Sequence, residues 1–193
     1  MKDIHLIENI FSQEERKRIL EDSQSLFIDG KEYSLYITAN ENPNYGIGYQ
    51  EGFAWTKITH STLMFHPKFE WAHKIILSKI KEKIGKNYVC VRSSMNITDG
   101  NNKILQYHNH QAELSCVYYV KMLPFFSNGT LFKDYGLIKA KENSLLCFPS
   151  YLQHTTPSSP LRFKRQSWVL DYENSIKGLS ILKNHYGVAS KYP

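Results

Sequence analysis

Residues 144–172 read SLLCFPSYLQHTTPSSPLRFKRQSWVLDY. Leu145 to Phe148 is a short apolar run of strand type, and Pro149-Ser150-Tyr151 reads as a turn. Pro157 to Pro160 interrupts the chain again, and 162–172 is a longer strand candidate rich in aromatic and branched residues. Two strands joined through a turn-rich segment, without a helix between them, argue for antiparallel pairing. A parallel sheet would need a helical crossover there. The same rhythm extends upstream, where 88–97, 104–110, 114–122 and 130–133 also alternate as strands. Turn signals separate them at Asp99-Gly100-Asn101-Asn102 and Ser127-Asn128-Gly129.

The first half of the chain is different. A short strand at 4–11 is followed by Ser12-Gln13-Glu14-Glu15, the signature of a capping box, opening a helix to about Ser23 with Ile19 and Leu20 facing inward. Segment 30–52 is rich in Asn, Gly, Pro and Tyr and predicts loops around a strand at 33–38. From 69 to 85, Ala72, Ile75, Ile76, Ile80 and Ile84 form one apolar stripe opposite Lys74, Lys79, Lys81 and Lys83, and Gly85 supplies a stop. Helices before a run of short strands predict a mainly β protein, a sandwich or jelly roll with helices flanking one sheet. The expected organisation is one domain over 1–193, with supporting elements in 1–86, a β core in 87–172 and a tail in 173–193. That tail carries a weak apolar pattern at Ile176, Leu179, Ile181 and Leu182, fitting a short packed helix or a loose end.

Composition narrows the class. The chain has 193 residues, 41% apolar and 22% charged, enough to bury a core without staples. Three cysteines, Cys90, Cys116 and Cys147, sit inside apolar runs without regular spacing, which predicts reduced buried thiols instead of a disulfide framework. The net charge of +6 fits either an ordinary basic surface or an anionic partner, nucleic acid or a carboxylate. The first residues lack the apolar core of a signal peptide, and no run approaches membrane-spanning length, so a cytoplasmic location is expected.

Chemistry gathers at the histidines. In an extended segment, His108 and His110 point to one side, and His154 follows a turn that could bring it in from across a sandwich. Any one of them alone would be an ordinary core or surface histidine. Together they would hold a metal from one face and leave positions open, as catalytic sites require. Arg165 and Ser167, two apart in the longest strand candidate, share a face and could grip a carboxylate. Burial of that arginine would demand an anion. A zinc-binding β-sandwich without turnover and a basic nucleic-acid-binding protein are the alternative readings of these residues.

The spacing of His154, ten residues, then Arg165-Gln166-Ser167 resembles the H-x10-R-x-S element of 2-oxoglutarate-dependent oxygenases. H-N-H-Q-A-E-L-S-C-V-Y-Y-V from His108 and L-L-C-F-P-S-Y-L-Q-H-T-T-P from Leu145 are similar to blocks of the iron(II)/2-oxoglutarate oxygenases common in phage and marine bacterial genomes, relatives of the prolyl hydroxylases. The resemblance spans about residues 96–172. It implies a double-stranded β-helix (jelly roll, cupin-like), iron(II), 2-oxoglutarate and dioxygen, and a dioxygenase that hydroxylates or demethylates a substrate while releasing succinate and carbon dioxide. By position it implies His108, His110 and His154 as metal ligands, Arg165 and Ser167 on the distal carboxylate of 2-oxoglutarate, and Tyr119 as a further donor to it. Tyr107, Tyr118, Tyr151 and Trp168 are candidates to orient a primary substrate, which would be a peptide, nucleobase or metabolite. A phage-encoded relative would act in its host's cytoplasm. Three departures stand out. His110 replaces the usual carboxylate ligand, for which Glu113 and Asp134 are the nearest substitutes in sequence; Gln111 replaces a proline; Cys116 replaces a glycine.

Overall fold

The alternation in the second half of the chain resolves into two antiparallel sheets. The computed structural model describes residues 3–29, 55–59, 62–98, 107–123, 129–157 and 163–186, so the expected strand at 33–38 lies outside the described residues. The elements are β1 (His5–Glu8), α1 (Gln13–Gln24), β2 (Ile28–Asp29), β3 (Trp55–Ile58), α2 (Glu70–Ile84), β4 (Tyr88–Thr98), β5 (Leu114–Lys121), β6 (Gly129–Phe132), β7 (Gly136–Lys139), β8 (Ser144–Pro149), β9 (His154–Thr155), β10 (Arg165–Asn174) and α3 (Ser175–Tyr186). The large sheet runs β1-β8-β5-β10-β4-β3-β2, and the small one β7-β6-β9. This is the jelly-roll arrangement that the strand pattern predicts, with helices outside one sheet.

Alternation along β10 decides what each face does. Gln166, Trp168, Leu170 and Tyr172 point to the helix side, where Trp168, Leu170 and Tyr172 join a core with Ile19 of α1, Ala72, Ile76 and Ile80 of α2, and Leu182 of α3. The other phase of the strand faces the small sheet. There Val117, Tyr119, Leu146 and Phe148 of the large sheet pack with Phe132 of β6. Both faces of β8 are covered, which is why it reads as a continuous apolar run. Cys90, Cys116 and Cys147 are free thiols, all fully buried in the helix-side core, and Cys116 lies opposite Cys147 in the β5–β8 register.

Local sequence sets the ends of the elements. The Ser12 hydroxyl accepts from the Glu15 amide while the Glu15 carboxylate accepts from the Ser12 amide, so the expected capping box is formed. Gly85 ends α2 at φ +77°, a left-handed conformation that glycine adopts without a steric penalty. At Gly129 a Cβ would lie 1.9 Å from the Ile138 carbonyl oxygen, so only glycine lets β6 approach β7 so closely. Among the α2 lysines, Lys74 pairs with Glu70 and Lys79 with Glu82, so part of that basic face is balanced within the helix.

One expectation changes. Residues 107–110 are not part of a strand; His108 makes an isolated antiparallel bridge to His154, and the His110 amide donates to the Ser150 carbonyl. The segment is tied to His154 and Ser150 by these bonds instead of forming a strand. Within 1–86, β1 is the edge strand of the large sheet, paired with β8. At the C-terminal end, the weak apolar pattern forms α3, with Leu182 buried. Among the described residues no helix is long and apolar enough to cross a membrane.

Candidate metal centre

His108 and His154 exchange both backbone hydrogen bonds, N to O at 3.0 and 2.9 Å. Residues paired in this way carry their side chains on the same face, and the two imidazole centroids lie 4.5 Å apart. His110, two residues on, brings its ring 5.3 Å from that of His108 and 5.0 Å from that of His154. One nitrogen from each of the three lies within 4.8 Å of the others. A divalent ion bonds imidazole nitrogens at about 2.0–2.1 Å, so three donors around one ion would be spaced within this limit. Phe148 and Phe132 pack against His154 at 4.7 and 5.9 Å, walling the cluster on its inner side.

Hydrogen bonds fix which nitrogens face inward. His154 donates from Nδ1 to the Leu152 carbonyl at 2.8 Å, leaving Nε2 as its available donor to a metal. Burial, then its neighbours His110 and His108, lower the His154 pKa to about 2, so the ring is neutral and can coordinate. His110 Nδ1 lies 2.6 Å from Asp171 Oδ1. Arg92 Nη2 and Ser115 Oγ also lie 3.2 and 3.1 Å from that nitrogen, but the much shorter contact to an ionised carboxylate requires hydrogen on Nδ1, and again Nε2 remains. Asp171 is buried; its other oxygen accepts from Arg92 Nε at 2.6 Å, and Ser115 Oγ donates to Oδ1 at 2.7 Å. Burial alone would raise the Asp171 carboxyl, but Arg92 and His110 outweigh it and hold it below the usual carboxylate range.

Farther along the inner face sits a second cation. Arg165 Nε is sealed from solvent and has no hydrogen-bond partner. Its guanidinium lies 5.3 Å from the centre of the Tyr119 ring, and burial lowers its pKa from the ordinary value. Ser167 is buried and pairs with Tyr119 across β5, on the same phase of β10 as Arg165. The Tyr119 hydroxyl bonds to Thr130 Oγ1 at 2.8 Å. Thr130 and Phe132 are alternate residues of β6, so Arg165, Tyr119, Thr130, Phe132 and His154 form a connected series across the interior.

Not every candidate falls here. Tyr118 is fully buried on the opposite face of β5, edge-on to Phe11, with its hydroxyl on Asn143 Oδ1. Trp168 is also fully buried on the helix side, donating to Ser93 Oγ at 2.6 Å and packing against Phe69. Neither faces the histidines, because strand alternation sends each one residue out of phase with Tyr119 and Ser167. Tyr107 and Tyr151 are exposed beside His108 and Ser150, and Tyr135, which no sequence signal marks, is exposed and packs on Phe132. Glu113 binds Lys86 and Tyr88 instead of the histidines, and Asp134 is exposed in the β6–β7 turn. The carboxylate at the site is Asp171. Phase alone would have placed it inward with Arg165 and Ser167, but its partners Arg92 and His110 are distant in sequence.

No protein-family model matches the sequence, and no curated protein does either. Solved structures do. HygX from Streptomyces hygroscopicus, with nickel, 2-oxoglutarate and hygromycin B bound, aligns over 90% of this chain and 83% of its own, with a TM-score of 0.62 and 10% identity. A prolyl hydroxylase from Trichoplax adhaerens, in complex with a hypoxia inducible factor peptide fragment, covers 91% and 86% at a TM-score of 0.59 and 14% identity. EctD from S. alaskensis, with bound Fe, covers 89% and 73% at a TM-score of 0.61 and 12% identity. The chain therefore has the fold of these proteins.

Proposed function

We propose that the protein is an iron(II)- and 2-oxoglutarate-dependent dioxygenase. One observation carries the reading: three histidine nitrogens lie within 4.8 Å of one another on the inner face of a sandwich that also holds Arg165, whose sealed Nε lacks a partner. The donor set fits the metal, since two of the rings have Nδ1 committed elsewhere and present Nε2. The unpaired Nε supports a carboxylate ligand, because an arginine stays charged and a sealed N–H needs an acceptor. HygX shares the fold and binds nickel with 2-oxoglutarate, which supports the same pair of ligands here.

In this reading His108, His110 and His154 hold the ion, and Arg165 with Ser167 holds the distal carboxylate of 2-oxoglutarate, close to the Tyr119 ring. When bound, the metal and co-substrate supply oxidation of a C–H bond by dioxygen, giving hydroxylation, or demethylation where the carbon is on nitrogen. The chain's own part is positioning. The bridge between His108 and His154 fixes two ligands to one backbone pairing, Phe132 and Phe148 keep water from the inner side, and the Arg165 side chain sets the direction of the co-substrate. Exposed Tyr107, Tyr135 and Tyr151 offer aromatic surface where a primary substrate would arrive.

The test is succinate release from 2-oxoglutarate with iron(II), with the native protein compared to His154→Ala and Arg165→Met. Turnover by the native protein and loss in both variants is the expected result. Equal turnover in all three would overturn the reading. An anaerobic visible charge-transfer band on adding iron(II) and 2-oxoglutarate gives a second readout, and a zinc-binding scaffold would show none.

A further inference from the structure

Asp171 has no place among the groups proposed to hold metal or co-substrate, yet its carboxylate is buried and bound by three side chains. It is 4% exposed and accepts from His110 Nδ1 at 2.6 Å, Ser115 Oγ at 2.7 Å and Arg92 Nε at 2.6 Å. Counting hydrogens gives the direction of each bond. Ser115 spends its single hydroxyl hydrogen on Asp171, so its oxygen, 2.7 Å from Ser150 Oγ, accepts from that serine. Ser150 in turn accepts the His110 amide on its carbonyl at 2.9 Å. His110 is thus held at both ends: its backbone by the turn after β8, its ring by a carboxylate on β10.

We propose that Asp171 is the positioning residue for His110, fixing the ring's tautomer and rotation so that Nε2 is presented to the metal; the inference rests on the metal-binding reading above. The need for it follows from the fold. His108 and His154 share two backbone hydrogen bonds, whereas the His110 backbone has one, from its amide to Ser150, and its ring depends on side-chain partners. A histidine on an irregular segment loses rotamer freedom only if something outside the segment holds its ring. Arg92 already offsets the charge of Asp171, so the carboxylate's contribution is mainly directional: an acceptor at a fixed place. Arg92 keeps that acceptor ionised and stationary, and Ser115 closes its remaining side.

A purely structural role for the buried pair predicts something different, and the two can be separated. Arg92→Met combined with Asp171→Leu removes both charges together, which a well-packed site tolerates. We expect that double variant to keep the native urea midpoint while its affinity for Co(II), measured by titrating metal-free protein and following the visible d–d bands, falls about 10–100-fold. Asp171→Asn retains an oxygen acceptor for His110 and should bind Co(II) more tightly than the double variant. A folded double variant that binds Co(II) as tightly as the native protein would overturn the proposal. If the native protein itself fails to bind Co(II), the metal-centre reading falls and takes the proposal with it. Native binding that is lost in His154→Ala upholds that reading, and the double variant then decides the role of Asp171.

Discussion

Two arginines, Arg92 on β4 and Arg165 on β10, lie on the same inner face, and they are finished to different degrees. Arg92 ends on Asp171 in an ion pair whose side chains are 15% and 5% exposed. Arg165 ends on an aromatic ring, with Nε sealed and without a partner. A fold that completes one internal ion pair so closely, and leaves Nε of another guanidinium unpaired, uses one residue type in two ways: the first is structural, and the second is the group we propose for 2-oxoglutarate. His73 shows a third solution. It is buried on the helix side, stacked on Tyr172, and burial lowers its pKa to about 4 despite the opposing pull of Glu70, so it resolves the problem by losing its charge. Arginine has no such exit.

The strongest challenge to this contrast is Arg92→Met, which leaves Asp171 buried and uncompensated. Its expected cost is about 3–5 kcal/mol in urea denaturation at pH 7. A cost below about 1 kcal/mol would place the pair with exposed ion pairs and remove the contrast. Next in size is the response of His73 to pH. Its folded pKa of about 4 lies below the ordinary 6.5, so the unfolded chain takes up a proton first as pH falls. Stability contributed by the neutral ring is complete above about pH 6.5 and is lost as pH drops toward 4, by about 3 kcal/mol in all. His73→Phe should flatten that part of the stability profile relative to the native protein, both measured without metal. A profile unchanged by the substitution would show that the ring titrates normally.

Arg165 supplies the two smaller effects. With nickel bound, 2-oxoglutarate at a hundred times its dissociation constant should stabilise the native protein by about 2.7 kcal/mol, read as a rise in Tm. Arg165→Met should lose that rise. Without ligands, Arg165→Met should leave stability unchanged or higher by about 1 kcal/mol, because it removes a cation that nothing in the described interior pairs at Nε. A large destabilisation would mean that Arg165 is structural after all.

Burial on both faces makes the long strands legible in the amino-acid sequence, and β4, β5, β8 and β10 lie within a few residues of their expected bounds. The short elements leave a weaker mark: β9 has two residues, and β7 carries only Leu137 and Ile138 as apolar signal. At the site, spacing in two compact motifs picks out His108, His110, His154, Arg165 and Ser167. Tyr118 and Trp168 read as substrate-orienting residues only when aromatic character is weighed without strand phase; each is one residue from an inward neighbour and points to the helices. Asp171 and Arg92 carry no local signature. They meet across β4 and β10, and His110 reaches Asp171 from a segment 61 residues away, so only strand register brings the three together.

The three thiols give the fold a built-in clock. Cys90, Cys116 and Cys147 are each 0% exposed, on three strands of the large sheet, and burial raises the pKa of Cys90 and Cys116 well above the ordinary thiol value. Reagents that need an accessible thiolate should therefore leave the native protein unlabelled. The mass added per molecule over time then records how often strands β4, β5 and β8 come apart, one alkylation event for each cysteine that reaches water.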